Sequence, residues 1–146
     1  MKVMNKLKME LSARSVNESF ARVAVCAFAA CLDPTVDEIG DIKTAVSEAV
    51  TNCIVHAYQN RVGQIYIEVK ILDDGKVIIK IKDKGCGIED VKQAMEPLFT
   101  TSENGERAGL GFALMESLMD KVRVRSKVGV GTTVTLEKTL KVRSDD

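Results

Sequence analysis

The sequence predicts an α+β domain in two layers, with helices on one face of a mixed, largely antiparallel sheet. Neighbouring strand-like stretches are joined by tight turns, without regular βαβ alternation. Two helical stretches in the first half each open on a capping-box pattern. The 146 residues contain neither an internal repeat nor a dividing linker, so residues 1–146 read as one domain.

In chain order, Lys6–Leu11 alternates polar and apolar residues, the mark of a half-buried strand. Ser15-x-x-Glu18 has the form of a capping box, and the helix it opens is expected to reach about Leu32, where Asp33-Pro34 ends it. Glu18 and Arg22 are spaced i, i+4 and are expected on one exposed face. Thr35-x-x-Glu38 is a second capping box, and its helix is expected to reach His56 or Tyr58. Ile39, Ile42, Val46, Ala49, Val50, Cys53 and Ala57 form its apolar stripe. Asp41, Ala45, Glu48 and Asn52 fall roughly opposite.

Residues 64–71 alternate clearly and form a strand. Asp73-Asp74-Gly75-Lys76 is a hairpin turn, and the β-branched strand 77–82 returns to end at Asp83. Glu89–Met95 reads as a short helix stopped by Pro97. Residues 97–108 have neither period and are expected to form a lid-like loop. Gly109-Leu110-Gly111 leads into a helix through about Met119. Strands at 122–125 and 132–137, joined by a turn at 128–131, close the domain, and the tail from Arg143 is expected to be loose.

Composition narrows the function classes. Hydrophobic residues make up 45% and charged residues 29%, with 21 basic against 21 acidic side chains. No net field points to nucleic acid or to an acidic membrane. The chain has no Trp, which argues against a base-stacking platform. Cys26, Cys31, Cys53 and Cys86 form no C-x-x-C pair and are expected to be buried free thiols in a reducing compartment. No secretory signal is recognised, and the longest apolar run, Val23–Leu32, is too short to span a bilayer. A cytoplasmic protein is expected.

Four features carry chemistry. Asp83 ends a strand, where a carboxylate can accept a hydrogen bond from an exocyclic amine such as that of adenine, and Gly85 and Gly87 leave bare backbone beside it. Glu48 and Asn52 share a helix face: an amide oxygen suits Mg²⁺ and a nearby carboxylate can take a proton. Gly109-x-Gly111 opens a helix, where free N–H groups favour phosphates. Thr132, starting the last strand, could reach a ring or a water. Each alone has an ordinary explanation: a turn, a solvated helix face, a helix-start loop, a sheet-filling threonine. Neither a P-loop nor a complete G-x-G-x-x-G is present.

The order of these motifs, from about residue 36 to 138, resembles the Bergerat ATP-binding fold, which includes histidine-kinase catalytic domains. Glu48-Ala-Val-Thr-Asn52-Cys-Ile-Val-His56-Ala-Tyr58 and Glu96-Pro97-Leu98-Phe99-Thr100-Thr101 resemble the helix and lid of the bacterial anti-sigma serine kinases. With Asn17-Glu18-Ser19-Phe20-Ala21-Arg22, the whole chain is similar to the sporulation members of that family.

The resemblance implies binding of ATP or ADP with Mg²⁺. Asn52 would hold the Mg²⁺ against the phosphates and Glu48 would be the general base for a substrate serine. Asp83 would bind the adenine amine, with Gly85 in the same motif, Gly87 by the ring and Thr132 reaching adenine through water. Gly109 and Gly111 would lie along the phosphates under a lid that includes Thr101 and Arg107. Glu18 and Arg22 would contact a sigma factor. The chain would form a homodimer and phosphorylate an anti-anti-sigma factor, with no direct contact to nucleic acid or membrane. Two alternatives remain open: an ATP-gated switch, and a sigma-binding module without kinase activity. His56, the single histidine, is expected to be packed or hydrogen-bonded rather than phosphorylated.

Overall fold

A computed structural model describes residues 2–59, 61–96 and 106–141, with the backbone alone at 106–110. Five strands form one sheet: β1 (Val3–Ser12), β2 (Gln64–Leu72), β3 (Lys76–Asp83), β4 (Lys121–Lys127) and β5 (Gly131–Thr139). Their spatial order is β1-β2-β3-β5-β4, and every described pairing is antiparallel. The α+β expectation holds. Strand alternation sorts the side chains cleanly. Ile65, Ile67 and Val69 of β2, with Val77, Ile79 and Ile81 of β3, are buried on the helix side. Each such side chain contributes about 1.5–3 kcal/mol on leaving water.

The helical layer consists of α1 (Val16–Ala29), α2 (Val36–Asn52), the four-residue α3 (Val91–Ala94) and α4 (Glu106–Leu118). A 3₁₀ turn, Ala30–Leu32, extends α1, and a π turn, Cys53–Ala57, extends α2. α2 is the central helix and packs against both α1 and α4. That placement corrects its expected polar side, because Ala45 is wholly buried there. Asp41 pairs with Lys138 of β5 at 3.3 Å.

The two capping boxes part company. Thr35 has extended backbone, accepts from the Glu38 amide at 3.0 Å, and gives its own amide to Glu38 Oε1 at 2.8 Å. Ser15 already has helical dihedrals (φ −57°, ψ −31°) and its side chain makes no capping bond. A cap needs a non-helical residue, so the S-x-x-E pattern there forms no box. Glu18 instead turns to α2, where the Ser47 hydroxyl donates to it at 2.5 Å, and it pairs with Arg22 at 3.6 Å. Glu18 and Arg22 are therefore half-buried between helices, not on an exposed face. The exposed side of α1 is apolar: Val16, Phe20 and Val23 are 75%, 57% and 58% accessible.

Two further expectations change. Helix α4 begins at Glu106, so Gly109 and Gly111 lie inside it rather than ahead of it. Of the four cysteines only Cys53 is buried; Cys31 and Cys86 are exposed and Cys26 is intermediate. None of the four is in a disulfide. Among the described residues, no helix is long and apolar enough to cross a membrane.

Candidate nucleotide-binding cleft

The end of α2, the end of β3 and the start of β5 enclose a cleft of about 770 Å³. Asn52, Cys53 and His56 line one wall, and Asp83 and Thr132 lie at its base. Strand register brings the last two together, since Asp83 and Thr132 are direct partners in the β3–β5 ladder. Both face inward and are 5% and 8% exposed.

Asp83 is a buried carboxylate held by three donors. Its Oδ1 accepts from the Gly85 amide at 3.0 Å and the Thr132 amide at 3.2 Å. Its Oδ2 faces the Cys53 thiol at 3.6 Å. Burial pushes its pKa up, and these three hydrogen bonds hold the rise back. The Cys53 thiol is pushed well above its ordinary value, by burial first and then by the Asp83 charge, so it keeps its proton. Burial alone lowers the His56 pKa. His56 is half-buried in the π turn and lines the cleft, as a packed side chain.

The glycines after Asp83 meet protein on the side a Cβ would occupy. A Cβ on Gly85 would stand 2.3 Å from the Ala57 carbonyl oxygen. Gly87 has φ +79°, and a Cβ there would stand 2.4 Å from the Lys127 carbonyl oxygen. The same seam is closed by the Cys86 amide donating to the Ala57 carbonyl at 2.9 Å. Tyr58 ties the π turn to both strands, accepting from the Lys84 amide at 2.6 Å and donating to the Gln64 carbonyl at 2.7 Å. Gly87 lines the cleft directly, whereas Gly85 allows the turn to dock.

Further along α2, Glu48 and Asn52 come to one place. A Cβ on Gly111 would lie 3.4 Å from Glu48 Oε2 and 3.5 Å from Asn52 Nδ2, so α4 presents backbone to both. Among the described residues, no three His, Cys, Asp or Glu side chains gather as metal ligands. A magnesium ion here would take its oxygens from Asn52 and from phosphates, which suits an ion that keeps few protein ligands. The donor set thus fits Mg-ATP: a buried acceptor for an amine, a cleft within the usual range for small-molecule ligands, and the Asn52 amide beside a glycine-bearing helix. Thr101 lies outside the described residues. Arg107 and Gly109 lie in the first turns of α4, where only the backbone is described.

Sequence reasoning missed two residues. Ser126 pairs with Thr132 in the β4–β5 ladder, and their hydroxyls are 2.7 Å apart. Ser126 also accepts from the Ile88 amide at 2.7 Å, which pins the loop after Gly87. A polar residue interrupting the inward row Val122, Val124, Ser126 was the available signal. Cys53 gave none, because its partner Asp83 is 30 residues away.

Residues 10–138 match the family model described as the histidine kinase-like ATPase domain. The chain belongs to that family. Its curated relatives include proteins named "Anti-sigma F factor". The one from Caldanaerobacter subterraneus subsp. tengcongensis is 56% identical, with 92% of this chain and 93% of that one covered. The one from Clostridium beijerinckii is 54% identical, with 96% and 98% covered. At that likeness the chain also belongs to the anti-sigma F factors. Solved structures share the ATPase fold. The RsbU and RsbW domains of a Mycobacterium tuberculosis protein superpose with a TM-score of 0.70 at 24% identity, covering 94% of this chain and 33% of that one. The catalytic domain of the histidine kinase ThkA gives 0.58 at 17% identity, covering 94% and 97%.

Proposed function

We propose that this chain binds and inhibits a sporulation sigma factor, and that it uses Mg-ATP to phosphorylate a serine of an anti-anti-sigma protein. The observation that carries the reading is the placement of Glu48 and Asn52 against Gly111, with Asn52 itself in the wall of the cleft that holds the buried Asp83. Asp83 accepts the adenine 6-amino group. Asn52 holds the magnesium ion, which neutralises charge developing on the transferred phosphoryl group. Glu48 takes the proton of the substrate serine as its oxygen attacks, the step at which a positioned base helps most. Gly109, Gly111, Thr101 and Arg107 belong to the phosphate side, and Thr132 with its hydroxyl partner Ser126 to the adenine side.

The sigma factor is proposed to meet α1. Arg22 is half-buried, and the 30% of its side chain that stays accessible leaves part of the guanidinium open to an incoming acceptor. Glu18 holds the guanidinium in place. The apolar exposed side of α1 and the open outer edge of β1 support a homodimer.

Mixing the chain with γ-labelled ATP, Mg²⁺, the sigma factor and the anti-anti-sigma protein tests this reading. Label is expected on a serine of the anti-anti-sigma protein, and chelation of Mg²⁺ abolishes it. Sigma binding without label transfer would leave a nucleotide-gated binder and remove the kinase.

A further inference from the structure

Cys53 begins the π turn that ends α2, and it is 4% exposed. π turns inserted at the end of an α-helix re-aim side chains, often at working sites. Here the turn delivers two contacts to the segment after β3: the Cys53 thiol to Asp83 Oδ2, and the Ala57 carbonyl to the Cys86 amide. The two backbone donors of Asp83 both fall on Oδ1. One-sided bonding fixes one oxygen but leaves the carboxylate plane free to swing about it. The thiol is the protein donor on the other oxygen.

We propose that Cys53 is a positioning residue for nucleotide recognition, its thiol donating to Asp83 Oδ2 so that the carboxylate stays aimed at the adenine 6-amino group. This rests on the reading of Asp83 as the adenine acceptor. Cys53 acts through Asp83, and its contribution is therefore specific to ligands that carry that amine.

The test compares ATP with purine riboside triphosphate, which lacks the 6-amino group, in calorimetric titrations of the whole chain. The wild type binds ATP more tightly. Cys53→Ala lowers ATP affinity roughly 3- to 10-fold, the usual net worth of one hydrogen bond, and leaves the analogue unchanged. Cys53→Ser restores a donor and restores the preference. If Cys53→Ala weakens both nucleotides equally, or leaves the preference intact, Cys53 is only a packing residue and the inference fails. If the wild type shows no preference for ATP, the reading of Asp83 fails, and the inference with it.

Discussion

At the Asp83 end of the cleft the carboxylate already has three donors, and the loop after it is docked through Gly85, Cys86 and Gly87. At the other end, Glu48 and Asn52 lie against the backbone of a second helix at Gly111. The first end is built from ladder register and a seam of backbone contacts, so it is rigid without a ligand. The second depends on how α4 packs on α2. On the proposed reading, recognition is preorganised and the machinery for transfer is set by the mutual position of two helices.

The contrast gives its largest effect at Glu48. Glu48→Gln keeps shape and hydrogen-bonding capacity but loses basicity. Phosphorylation of the anti-anti-sigma protein should fall at least ~100-fold while ATP affinity stays unchanged. Quenched-flow transfer and calorimetry on one preparation check both; a matching loss of ATP affinity would make Glu48 a binding residue instead.

Glycine substitutions separate the ends next. At Gly85 a Cβ collides with a carbonyl at 2.3 Å, so Gly85→Ala should cost about 1–3 kcal/mol of stability and weaken ATP. At Gly111 the nearest atom is 3.4 Å away and the residue is helical, so Gly111→Ala should hold or raise stability, by up to about 1 kcal/mol, while slowing transfer. Thermal melts give the first comparison. Similar melting temperatures for the two variants would erase the distinction between a docked seam and a helix contact.

The smallest effect lies at Ser126. Ser126→Ala removes the acceptor of the Ile88 amide and the partner of Thr132, and should weaken ATP by about 1 kcal/mol without altering the rate at saturating ATP. A change in that saturated rate would place Ser126 in the transfer step.

These ends were not equally legible in the sequence. Alternation over 64–71 and the β-branched run 77–82 were enough to place β2 and β3, and hence Asp83 at a strand end. The i, i+4 spacing was enough to put Glu48 and Asn52 on one face. Ser15 and Thr35 show the limit: the same motif forms a box at Thr35, where the backbone is extended, and fails at Ser15, where the turn out of β1 is already helical. The burial of Ala45 and the inward turn of Glu18 follow from α2 packing between α1 and α4, a fact of tertiary placement. The role of Gly85 likewise depends on a carbonyl 28 positions earlier in the chain, at Ala57.

Asp83 is proposed to read adenine from a preformed site, and the decisive measurement is calorimetric titration of ATP into wild type and Asp83→Asn. The substitution keeps the shape of the side chain and removes its charge. Hydrogen bonds to charged groups contribute about 1.5–3 kcal/mol, so Kd should rise roughly ten- to hundredfold with the melting transition retained. An unchanged Kd in a folded Asp83→Asn protein would mean that Asp83 does not bind the adenine amine.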